Sequence, residues 1–129
     1  MGAAVKNVVI IVTAGKSDNG KHATMGFSCA LSAQAMGHRV AIFLTSDGAV
    51  WGYRGSTHGI MVQGFPPLAE LVSRFLEEGG RLILCSVCHR TCGTGGPEDI
   101  PVAEKLPQAE IGGFVTIIEL ATDGVAITF

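Results

Sequence analysis

Three apolar runs constrain this chain more than any other feature. Val8-Val9-Ile10-Ile11-Val12, Val40-Ala41-Ile42-Phe43-Leu44 and Leu82-Ile83-Leu84 carry no polar residue at either parity. A strand built from any of them must be covered on both faces. Between the first two, from about Lys21 to Met36, the residues Met25, Cys29, Ser32, Ala33 and Met36 recur at helical spacing, and Gly37 is placed to end the helix. Strand, helix and strand in that order predict a parallel pair joined by a crossover. The second strand, over Arg39 to Thr45, hands over to Ser46-Asp47-Gly48.

The remaining segments extend the pattern. Ala49 to Gly64 is glycine-rich, holds Trp51, Tyr53 and His58, and has no period, so it reads as a long functional loop. Pro66 or Pro67 opens a second helix that runs to Glu78, with Leu68, Leu71, Val72, Phe75 and Leu76 on one face and Gly79-Gly80 after it. Arg81 to Leu84 is a third strand and Cys85 stands where it finishes. A short helix is expected near Glu98 and a short strand near Ala109 to Ile111. Phe114 to Leu120 has the composition of a strand, yet Phe114, Ile117, Ile118 and Ala121 fall on one helical face, which predicts a helix. Val125 to Phe129 closes a sheet of about five strands. The expected fold is α/β: a three-layer, flavodoxin-like sandwich with a mostly parallel five-stranded sheet and helices on both faces.

Composition narrows the functional class. A chain of 129 residues has the size of one domain, here residues 1–129. Its net charge is −2 with no lysine or arginine run, so it lacks the basic footprint of a nucleic-acid binder. No apolar stretch approaches a membrane span of about 20 residues. Met1 to Lys6 lacks the features of a secretory signal, and the chain is expected to stay in the cytoplasm. Apolar residues make up 47% and charged ones only 16%, which leaves apolar surface for contacts between subunits.

Four cysteines in a reducing compartment point to free, metal-bound or redox-active thiols rather than structural disulfides. Three of them, Cys85, Cys88 and Cys92, lie within eight residues. Cys29 sits within a helical apolar face and reads as packing. Cys85-Ser-Val-Cys88-His89-Arg90-Thr91-Cys92 follows a buried strand, at the end of a parallel sheet where reactive groups collect, and the strand is expected to deliver the Cys85 thiol into an open, electropositive cleft. If the chain turns helical there, Cys85, Cys88, His89 and Cys92 share one stripe. A thiol in a first helical turn is surrounded by backbone N–H groups that favour the thiolate, and sulfur transfer needs that thiolate. The same residues admit other readings. Cys-x-x-Cys-His is also the haem-attachment sequence, but it then needs an exported chain and a haem cavity. Zinc on Cys85, Cys88 and Cys92, with His89, lacks the second, separated ligand pair of structural sites. A Cys85/Cys88 dithiol switch fits the spacing and is chemically close to sulfur relay.

Gly15-Lys-Ser-Asp-Asn-Gly20-Lys21-His22 nearly matches a phosphate loop between a strand and a helix. His22 stands where a hydroxyl should meet magnesium, which argues against nucleotide hydrolysis. A polar turn remains, whose glycines, Lys16 and Lys21 suit an anion beside the thiol.

The order of these pieces resembles the DsrE/DsrF-like sulfur-relay family. The residues that carry the resemblance are the first strand and polar loop, the helix ending Ala35-Met36-Gly37, Phe43-Leu44-Thr45-Ser46-Asp47-Gly48, Gly79-Gly80-Arg81-Leu82-Ile83-Leu84-Cys85, Ile111-Gly112-Gly113, and Val125-Ala126-Ile127-Thr128-Phe129. The resemblance implies a sulfurtransferase or sulfur carrier with Cys85 as the sulfur-accepting residue and Cys88 as a resolving or second carrier thiol. It also implies a homo-oligomer, trimeric or hexameric, with no cofactor. Lys16, Arg54, His58, His89 and Arg90 are candidates to stabilise the thiolate or an anionic donor, and Trp51 and Tyr53 either wall the site or pack a subunit. The partner is a sulfur-donor or acceptor protein or a small thiol. Against it stands a binding-module reading, a non-catalytic oligomeric subunit with at most a zinc-bound Cys/His cluster.

Overall fold

The computed structural model describes residues 5–92 and 104–129, with Thr91 and Cys92 as backbone only. The helix expected near Glu98 lies outside these residues. The three apolar runs form the interior of a parallel sheet. β1 (Asn7–Val12) pairs in register with β2 (Arg39–Leu44), and β2 pairs with β3 (Arg81–Cys85). β4 (Ala109–Gly112) extends the sheet beyond β3, and β5 (Gly124–Thr128) adds to the far side of β1. Every pairing is parallel, in the order β4-β3-β2-β1-β5. The chain has the expected five-stranded parallel α/β sandwich. Flavodoxin itself runs 2-1-3-4-5, so the likeness lies in layers and strand direction rather than in strand order.

Alternation along the strands assigns the two faces. Val8, Ile10 and Val12 of β1, Val40, Ile42 and Leu44 of β2, and Leu82 and Leu84 of β3 all belong to one core. Two helices cover it: α1 (Lys21–Ala35) through Ala23, Phe27, Ala30 and Ala33, and α2 (Leu68–Glu77) through Leu68, Leu71, Val72 and Phe75. The rings of Phe27 and Phe75 meet edge to face at 5.8 Å, a favoured aromatic geometry. α1 stops where the sequence places Gly37, whose φ of +89° accepts the left-handed turn; the Gly37 N–H donates to the Gln34 carbonyl at 2.9 Å.

The irregular segment after β2 is not a loop lying over the surface. It begins with a 3-10 helix, Ser46–Gly52, and drives Ala49, Trp51 and Tyr53 into the same core. Trp51 is fully buried and its indole N–H donates to the Ala14 carbonyl at 2.9 Å. Periodicity misses such a segment because its apolar residues are held by tertiary contacts instead of by one repeating element.

The opposite face buries Ala41, Phe43, Ile83 and Cys85, and α4 (Phe114–Thr122) supplies its cover through Ile117 and Leu120. The helix expected over Phe114–Leu120 is therefore present, with Ile117, Leu120 and Ala121 half-buried. Phe114 and Ile118 are each 66% exposed and Val115 is 70% exposed. The helix lies on β1 and β5, and only one narrow side of it reaches the sheet.

Candidate functional site

β3 and β2 end side by side. The register pairs Leu44 with Leu84, so Thr45 and Cys85 are the next residues on neighbouring strands, both at the carboxyl end of the sheet. After Cys85 the chain turns directly into α3 (Ser86–Cys92), which returns Cys88 over the strand ends. Cys88 packs against both cores, with Cys85 on one of them.

The two sulfurs share a set of donors. The Ser46 N–H donates to the Cys88 Sγ at 3.2 Å, and the Thr45 hydroxyl lies 3.8 Å from the same sulfur. Thr45 also hydrogen-bonds the Cys85 sulfur, as do the backbone N–H groups of Cys88 and Val87 and the Cys88 thiol. Burial would push the Cys85 thiol up, but these hydrogen bonds outweigh it and hold the thiol below its ordinary range. For Cys88 the balance reverses. Burial, with the hydrogen bond to Cys85 and that residue's charge, holds it above the ordinary range despite the Ser46 and Thr45 donors. Of the two thiols, Cys85 is therefore the more readily ionised.

Ser46 reaches its position with φ at +55°, a left-handed conformation that side chains adopt at a cost of about 1–2 kcal/mol. The strain is held by the turn beneath it. Gly48 donates to the carbonyls of Thr13 and Thr45 at 3.1 and 3.0 Å, and a Cβ on Gly48 would collide with the Val12 carbonyl. The loops that follow β1 and β2 are thus locked backbone to backbone, which fixes the amide that faces Cys88.

Access differs between the thiols. Cys85 is only 2% exposed, which differs from the open cleft expected for a strand-end cysteine, whereas Cys88 is half-buried. Ser46, whose N–H faces Cys88, and Val87, two residues after Cys85, are exposed. Cys29 is half-buried in α1 and packs on the core.

The other candidates are scattered. His89 turns from the thiols to Tyr53, with Nδ1 and the phenol oxygen 2.7 Å apart and the rings stacked at 5.9 Å. Tyr53 is therefore a buried support for α3. Arg54 is held by Glu104, Nε to Oε2 at 3.1 Å, and His58 is exposed among the turns that follow it. Lys16 is exposed on the 3-10 turn after β1, at the same end of the sheet as the thiols, and Arg90 is exposed on α3. The Cys92 side chain lies outside the described residues, and among those described no group of three His, Cys, Asp or Glu side chains gathers as a metal site would.

The phosphate-loop likeness also resolves. The Asp18 carboxylate accepts the N–H groups of Gly20, Lys21 and His22 at 2.9, 3.2 and 3.0 Å, and the His22 ring at 2.6 Å. Burial opposes the charge, but the His22 and Gly20 donors prevail and hold the carboxyl below its usual range. The amides that would cradle a phosphate are already capped by the chain's own anion.

Thr45 and Ser46 are the site residues that motif reading did not single out. They stood only within the segment Phe43-Leu44-Thr45-Ser46-Asp47-Gly48, which closes the second strand as Cys85 ends the third. That becomes informative once the two strands are known to be neighbours in register.

No helix among the described residues is long and apolar enough to cross a membrane. No curated protein matches the chain. Among solved structures, the chain is similar to the ychN protein from E. coli in its crystal structure, with a TM-score of 0.66 over 98% of this chain and 100% of that one, at 19% identity. A likeness at that identity concerns the fold alone. The model of the DsrE/DsrF-like family matches residues 6–129. With nearly its whole length matched, and with the strand-end thiol and parallel sandwich in place, this chain belongs to the DsrE/DsrF-like family.

Proposed function

We propose that the chain, acting as one domain over residues 1–129, relays sulfane sulfur as a persulfide on Cys85, with Cys88 as its partner thiol. Family membership suggests a sulfur-relay role; the persulfide chemistry is our reading. The observation that carries it is the placement of Cys85 at the carboxyl end of β3, with Cys88 one helical turn on beside the Ser46 N–H and the Thr45 hydroxyl. A thiolate so held is ready to attack a sulfane sulfur at neutral pH, and its persulfide product keeps the same donors. Lys16, His89 and Arg90, all carried on turns or helices at the carboxyl end of the strands, are proposed to favour an anionic donor. Arg54, engaged with Glu104, serves less directly.

The donor or acceptor is a protein or small thiol, and the setting is the cytoplasm. We propose that copies of the chain assemble through the apolar outer side of α4 and the exposed Val125 and Ile127 of the edge strand β5. Intact-mass measurement tests the relay: exposure to a sulfane donor should add about 32 Da per sulfur. Fragment-ion sequencing of the loaded protein should place the lasting gain on Cys85, and a loaded protein that never carries sulfur there defeats the assignment.

A second reading, a Cys85/Cys88 dithiol switch, is favoured by the hydrogen bond between the thiols. Oxidation would then remove about 2 Da and join the two residues, without added sulfur.

A further inference from the structure

Resting on the relay reading, we infer that Cys88 is the thiol that meets the outside sulfur donor, and that Cys85 is the sheltered store to which the sulfur passes in a second, internal step. Two independent observations carry this. The first is access: Cys85 is 2% exposed beneath α3, whereas Cys88 is half-buried and borders exposed Ser46 and Val87. A donor approaching the strand ends meets the Cys88 sulfur first.

The second is the main-chain donor aimed at Cys88. Ser46 holds a left-handed φ of +55° and places its N–H 3.2 Å from the Cys88 Sγ, with the Thr45 hydroxyl 3.8 Å away. Such donors stabilise a negative charge on that sulfur. Cys88 packs against the cluster that holds Cys85, so a proton can pass from Cys88 to Cys85 without leaving the site. Cys88 then becomes the thiolate, held by Ser46, Thr45 and the Cys85 thiol.

The transfer balances as two displacements. The Cys88 thiolate attacks the outer sulfur of a small persulfide R–S–SH; the new sulfur–sulfur bond forms on Cys88 as the bond within the donor breaks, and R–S⁻ leaves. The leaving thiolate takes the proton from Cys85 and departs as R–SH. The Cys85 thiolate attacks the outer sulfur of the Cys88 persulfide, forming Cys85–S–SH and returning Cys88 as a thiolate. One sulfane sulfur moves at each displacement, and nothing is oxidised or reduced overall.

Glutathione persulfide, at one equivalent per chain, is the probe. Both thiols lie on the peptide Leu82–Arg90, which is bounded by arginines at 81 and 90, so fragment-ion sequencing after rapid alkylation assigns the added sulfur. The wild-type protein should show sulfur on Cys88 first and on Cys85 later. Cys85→Ser should hold it on Cys88, and Cys88→Ser should load Cys85 about tenfold more slowly or worse. Limiting iodoacetamide on the unloaded wild-type protein adds a measurement that needs no variant, with Cys88 expected to react before Cys85. Loading of Cys85 at the wild-type rate in Cys88→Ser, or modification of Cys85 first, overturns the order of transfer while leaving the relay intact. Absence of sulfur from both thiols of the wild type overturns the relay itself, and this inference with it.

Discussion

The two faces of the sheet are built to different standards. On one, side chains from β1, β2 and β3 are enclosed by α1, α2 and the segment carrying Trp51 and Tyr53. On the other, a small cluster of Ala41, Phe43, Ile83 and Cys85 is roofed by one side of α4, whose Val115 and Ile118 are exposed. Parity along β3 decides which face holds the chemistry. Leu82 and Leu84 enter the thick core, and Ile83 and Cys85 the thin one. The thick face anchors the strands, so the thin face can keep a thiol near the surface without the fold depending on it.

The sharpest way to break this contrast is in the thick core. Phe75→Ala removes a fully buried ring and its edge-to-face contact with Phe27, and it should cost about 3–5 kcal/mol in denaturant unfolding. A loss of under 1 kcal/mol would mean that this face is not the main source of stability.

Gly48→Ala comes next. Its Cβ would meet the Val12 carbonyl, and the backbone must separate at a cost of about 1–3 kcal/mol. Because that turn carries Thr45 and Ser46, the variant should also slow alkylation of the thiols under conditions where it remains folded. Unchanged stability would show that the two loops are not locked together.

Thr45→Val probes the thin face with little effect on packing. It removes a hydroxyl that hydrogen-bonds both sulfurs, so the midpoint of the pH–rate profile for Cys85 modification should move upward. The linkage has a definite sign. The lowered Cys85 value stabilises the fold at pH above the ordinary thiol range, and that contribution is lost as pH falls through its own depressed value. The raised Cys88 value works in reverse, with stability present below the ordinary range and lost as pH rises through its own value. A profile identical to the wild type would remove Thr45 from the site.

The smallest effect on folding is expected on the outer side of α4. Ile118 is 66% exposed, so Ile118→Asp should change the unfolding free energy by less than about 0.5 kcal/mol. In sedimentation velocity the same variant should shift the protein to smaller species. An unaltered sedimentation profile would assign assembly to another surface.

Much of the architecture was legible because the signals are local. Runs such as Val8–Val12 leave no polar parity, and the glycines after α1 and α2 mark where each helix stops, so strands and helices were readable within a few residues of their ends. The site was legible only in part. Cys85 and Cys88 stood out by clustering, whereas Thr45 and Ser46 lay in a segment that carried the resemblance without being assigned any role. His89 looked like a neighbour of the thiols by helical spacing, but Tyr53 draws its ring elsewhere. The phosphate-loop likeness misled because a side chain two to four residues from the amides it caps, Asp18, was free to take the anion's place.

By itself the sequence determined the layers, the strand direction and a thiol at a strand end, since these follow from patterns within single elements. Only the tertiary structure decided which donors that thiol would meet, which side of α4 would be covered and where Trp51 would go. Ser46 and Cys88 are 42 residues apart in the chain, and no local preference records such a meeting. Register between β2 and β3 brings them together, and register is fixed by the simultaneous burial of both strands in one core.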